Sequence, residues 1–116
     1  MDRAENQGML NKPLPAIDEP EGDYVPLQQT YIVDAHVHLF PNNLFAPIRQ
    51  WFENHGWPIR YQLSSEDIIQ FLNSHGIDHI VALHYAHKPG IARKLNSYMA
   101  EISRSHRQVT AMATVY

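Results

Sequence analysis

From Tyr31 onward, stretches with strand character alternate with stretches of helical spacing, and this alternation limits the folds open to the chain more than any other feature. Tyr31-Ile32-Val33-Asp34-Ala35-His36-Val37-His38 is rich in β-formers and is broken at Pro41, which predicts a buried strand over 31–38. Pro47, at a plausible first helical position, is followed by Ile48, Trp51, Phe52 and His55, with Gly56 as a stop, so a short helix is expected over 47–55. Ser64-x-x-Asp67 resembles a capping box. Ile68, Ile69 and Leu72 then form an apolar stripe that ends at Gly76, a helix over 65–75. Ile77 to Leu83 is a second strand. Ile91, Leu95, Tyr98, Met99 and Ile102 mark an amphipathic helix over 90–105, a core-packing stripe, and Val109 to Tyr116 is a third strand.

Strands separated by helices run parallel, joined by right-handed crossovers, and need cover on both faces. Two α/β outcomes fit: a small open three-stranded sheet, or the first β/α units of a (β/α)8 TIM barrel, a fold that typically takes about 250 residues. A last strand with no helix after it favours the barrel opening, incomplete in a chain of 116 residues.

Residues 1–30 differ in character. They hold six acids against two bases, a net charge of −4, and half of the eight prolines, which predicts a polar, Pro-rich tail or an arm on a neighbouring subunit. Over the whole chain the formal charge is −3, which argues against a nucleic-acid partner or an anionic membrane held by bulk charge. No apolar run approaches the ~20 residues that span a bilayer, and no signal-peptide pattern opens the chain, so a cytoplasmic protein acting on a small molecule is expected. Cysteine is absent, which excludes a disulfide framework, a thiolate nucleophile and Cys-ligated zinc.

Eight histidines are present, nearly as many as all Lys and Arg together. On a strand, side chains at i and i+2 share a face, so strict alternation puts His36, His38 and Asp34 on one side. Two imidazoles placed so, at a strand's carboxyl end, can reach one divalent ion, with Asp34 behind them orienting a ligand or pinning the backbone. With this many histidines a His-x-His pair arises about 0.5 times by chance, so the spacing alone also allows two hydrogen-bonded core histidines.

Ile32-Val33-Asp34-Ala35-His36-Val37-His38-Leu39-Phe40-Pro41 resembles the first-strand signature of the amidohydrolase superfamily, in its branch of metal-dependent hydrolases and decarboxylases. The resemblance covers roughly residues 31–116. It implies that His36 and His38 are the first two ligands of a divalent metal, with zinc the expected ion, at the carboxyl end of a barrel strand. It also implies that an acid or carbamylated lysine, two further histidines and an acid/base aspartate come from later strands. No catalytic acid/base is therefore expected within this chain. The reaction implied is attack of a metal-activated water on an amide, ester or lactone carbonyl, with decarboxylation as the alternative. A truncated, inactive piece that folds with a partner or as a homo-oligomer is the third expectation, because three parallel strands leave two edges and an inner face uncovered.

The connection from Pro41 to Leu63 is long beside the 2–6 residues usual for a βα loop. Its Trp51, Phe52, Trp57 and Tyr61 are expected either to wall a substrate pocket or to pack the insert onto the rim, and Arg49 and Arg60 to meet a substrate carboxylate. His84 and His87 follow the second strand, as substrate contacts or as exposed loop positions. His79 is expected to be a satisfied strand residue, and His55, His75 and His106 to complement helix C-termini.

Overall fold

The computed structural model describes residues 29–116, so the expected tail over 1–30 lies outside the described residues apart from Gln29 and Thr30. The element order is β1 (Val33–His38), α1 (Asn42–His55), α2 (Ser65–Ser74), β2 (His79–Leu83), α3 (Ala92–Ser105) and β3 (Val109–Ala111). The three strands are parallel in the order β1-β2-β3, so each new strand joins the same growing edge.

Period-2 alternation sorts the side chains. Val37, Leu39, Ile80, Ala82 and Val109 point to one face, where Ile69 of α2 and Met99 and Ile102 of α3 close over them. Leu39 and Ala82 have no exposed surface. A smaller cluster of Phe40, Phe45 and Leu95 lies under α1. On the opposite face no described element covers the strands, and Val33 and Met112 stay about half exposed (45% and 49%).

The helix ends are set by identifiable residues. Ser64 Oγ accepts the Asp67 N–H at 3.2 Å, starting α2 as its capping sequence predicts. Gly76, at φ 95°, ends it. Its N–H reaches the Asn73 carbonyl and the Ile77 N–H reaches that of Leu72, the paired bonds of a Schellman motif. Ile77 therefore belongs to the helix stop, which is why β2 begins only at His79. Buried Ser65 donates its hydroxyl to the Phe40 carbonyl at 2.8 Å, fastening the start of α2 to the end of β1.

Strand β1 begins at Val33, two residues later than expected, and three further boundaries depart from expectation. Helix α1 starts five residues before Pro47, with the Pro41 carbonyl accepting the N–H groups of Leu44 and Phe45. Pro47 sits inside it, where the lost bond is the one its N–H would have made to Asn43, close to the end of the ladder. Helix α3 starts at Ala92 because Gly90 takes φ 86°, outside helical space. Strand β3 is three residues rather than eight. Beyond it the Asn96 side chain takes over: its Nδ2 donates to the Thr114 carbonyl and its Oδ1 accepts the Thr114 N–H, both at 2.9 Å.

Candidate functional site

β1 does not alternate strictly. Val33 and Asp34 pair with His79 and Ile80, whereas Val37 and His38 pair with Ala82 and Leu83, so two residues of β1, Ala35 and His36, oppose Val81 alone. This is a bulge, and it resets the phase. Asp34, opposite Ile80, falls in step with the core-facing positions, where strict alternation had put it in step with the histidines. The bulge takes the His36 N–H out of the ladder, and Asp34 Oδ1 accepts it at 3.1 Å. Asp34 thus holds the backbone that carries His36.

The His36 ring lies beside that of His38. Their Nε2 atoms lie 3.1 Å apart and the rings meet edge to face, with centroids 4.9 Å apart at 73°. His38 is further held by Tyr85 (edge to face, 5.7 Å) and by Phe40 (stacked, 6.3 Å). Desolvation, and secondarily the neighbouring His36, push the His38 pKa below its ordinary value, while a backbone hydrogen bond at Leu83 opposes them. The neutral imidazole is therefore favoured, and it is the form whose lone pair binds a metal.

Two arrangements fit such a pair. One Nε2–H can donate to the other nitrogen, or both lone pairs can point at one cation. Two bonds of about 2.0–2.1 Å spanning a 3.1 Å chord would meet at about 100°, so the separation permits both nitrogens to reach one cation. No group of three or more His, Asp or Glu that could hold a metal occurs among the described residues.

Beside His38 opens a cavity of about 370 Å³, walled by Phe40, Phe45, Phe52, Trp57, Tyr61 and Tyr85 together with isoleucines and Arg49. An adjoining cavity of about 390 Å³ shares Ile48, Phe52 and Tyr85 and adds Trp51 and His87. The long β1–α2 connection thus lies along the cavity that opens at the histidine pair. Arg49 donates to the Leu63 carbonyl and its guanidinium lies 4.4 Å above the Phe45 ring, which ties α1 to the start of α2. Partial burial lowers its pKa. Burial raises that of the Tyr85 phenol.

The remaining candidates separate. Trp57 and His87 line the two cavities. Arg60 lies over the Tyr61 ring at 5.5 Å and lines neither. His84 is 7% exposed, in place of the exposed loop position that was its alternative to substrate contact. The alternation Ile80, Ala82, His84 runs one residue past β2, so His84 falls on the core side while Leu83 takes the open side with His38. Its Nε2 lies 2.8 Å from Asn96 Oδ1. Because Thr114 fixes the orientation of the Asn96 amide, His84 donates to it through Nε2, and its buried Nδ1 has no hydrogen-bond partner among the described residues. His79 meets Thr110 Oγ1 at 2.7 Å. His55, His75 and His106 each reach the carbonyl four residues back through Nδ1.

Tyr85 and Asn96 were not singled out from the sequence. The signal for Tyr85 was its place two residues after Leu83, in the same phase, between His84 and His87; Asn96, inside a helical stripe, gave none. No family model matches the chain, and neither does any curated protein or solved structure.

Proposed function

We propose that this chain carries the first part of the active site of a metal-dependent hydrolase of the amidohydrolase type, built on the opening β/α units of a TIM barrel. One observation carries the reading: two Nε2 atoms 3.1 Å apart at the carboxyl end of the first of three parallel strands. Barrel active sites gather at that end of the strands. The parallel order β1-β2-β3 is that of a barrel opening, and it is shared by one βαβαβ half of a doubly wound sheet.

His36 and His38 hold the ion, zinc in the first instance. When bound, such an ion polarises a carbonyl and brings the pKa of a bound water toward ~7. Asp34 fixes the bulge that aims His36, and Phe40 and Tyr85 hold the His38 ring. The aromatic wall beside His38 keeps water from the substrate's apolar part. A catalytic zinc takes three protein ligands and leaves one open position, so at least one further ligand, and the acid/base carboxylate, come from outside the described residues. The substrates in this reading are amides, esters or lactones.

Zinc and cobalt(II) titrations by calorimetry test the assignment. The chain should bind one ion per site, and the His36→Ala/His38→Ala variant should bind none. Equal, substoichiometric binding by both proteins would remove the ligand assignment. For the reaction, aryl esters and lactones should be hydrolysed by the metal-loaded protein together with whatever completes its site. Release of carbon dioxide from aromatic acids, with no hydrolysis, would move the assignment to decarboxylation.

A further inference from the structure

We propose that the cavity beside His38 is a binding site for a neutral aromatic group of one or two rings, and that it works without any metal. Its volume, about 370 Å³, lies within the 300–1,000 Å³ of ligand pockets. An apolar cavity of about 150 Å³ already accepts benzene, so two fused rings fit here.

The walls select for rings. Phe40 meets Phe45 and Tyr85 edge to face at 5.6 and 5.2 Å, and Phe52 meets Trp57 at 5.4 Å with a 50° tilt. With Phe40 and Phe45 buried within the wall, the rings left for a flat guest to stack on or meet edge-on are those of Phe52, Trp57, Tyr61 and Tyr85. A saturated guest of equal size gains the apolar burial but not those contacts.

The walls also disfavour charge. The one guanidinium among them, Arg49, is already engaged by the Leu63 carbonyl and the Phe45 ring and holds the connection in place. The cavity remains open to solvent at Trp57, which is 48% exposed, and Trp51, at the adjoining cavity, is 55% exposed. The exposed faces of these indoles are apolar surface that a bound ring would take out of water.

The chain has two tryptophans, one at each cavity, and they supply the readout. Full-length protein labelled with 5-fluorotryptophan is titrated in EDTA with 2-naphthol, with its saturated counterpart 2-decalol, and with the anion 2-naphthoate, followed by fluorine NMR. The expected result is a saturable shift of the Trp57 resonance, with 2-naphthol bound about threefold to tenfold more tightly than 2-decalol. That result would stand even if metal titrations failed, which keeps the two proposals separable. Equal affinity for the ring and its saturated counterpart would overturn the proposal. So would naphthoate binding tenfold more tightly than naphthol, or an unmoved Trp57 resonance.

Discussion

The two faces of the small sheet do different things with the same strands. On one, Ile80 and Ala82 disappear beneath α2 and α3. On the other, Val33, His36 and His38 remain open. The difference is one of side-chain phase: neighbouring residues on a strand share a backbone but not a solvent environment. The covered face stores the free energy of folding, and the open face is free to carry groups that would cost stability if buried unpaired. The bulge in β1 lies where the two requirements meet, because it puts Asp34 in step with the core-facing Val37 while His36 and His38 stay on the open side.

This division can be broken at its strong side first. Ile80→Ala should destabilise the fold by about 2–5 kcal/mol, while Val81→Thr, one residue along, should cost well under half of that. Urea unfolding followed by circular dichroism measures both, and similar losses would mean the open face is not open. Next in size, His36→Ala/His38→Ala should weaken zinc binding by more than the roughly 10–100-fold seen when a ligand's supporting group is lost, yet leave stability in EDTA within about 0.5 kcal/mol. A large loss of stability would make the pair a structural contact.

Asp34→Ala tests the bulge. Freed from its acceptor, the His36 N–H should cost about 0.5–1 kcal/mol and zinc affinity should fall about tenfold. Unchanged affinity would show that the ring finds its place without the bulge.

The smallest effect is in pH. Because folding lowers the His38 pKa, the unfolded chain takes up a proton more readily. Stability in EDTA should therefore be unaffected by this group above the ordinary histidine pKa of about 6.5, decline as pH falls through that value, and level off below the lowered folded one. Chemical denaturation at pH 8 and pH 5 should show a smaller drop for His38→Gln than for the native chain.

Much of this was legible along the chain. Gly76 after an apolar stripe, Ser64 three residues before Asp67, and apolar runs of strand length are local signals, set by backbone sterics and hydrogen bonds between near neighbours. The pairing of His36 with His38 was also legible, since it needs only extended backbone. The phase of Asp34 was not, because a bulge depends on the register of a partner strand 46 residues away along the pairing of Asp34 with Ile80. Nor was the burial of His84 against Asn96, where a helix residue with no distinguishing neighbour completes the hydrogen bond. Pro47 misled for the opposite reason: it reads locally as a helix start, but packing of Phe45 under the first turn carries the helix further back.

The amino-acid sequence by itself determined the succession of strands and helices, where each helix stops, and that two imidazoles would stand one residue apart on extended chain. Those properties come from torsional preferences and contacts within a few residues. Only the folded arrangement decided which face each side chain takes beyond the bulge, which aromatic rings enclose a cavity, and that the cavity opens at His38. Such relations exist only once distant segments are packed, and side-chain packing is not additive along a chain.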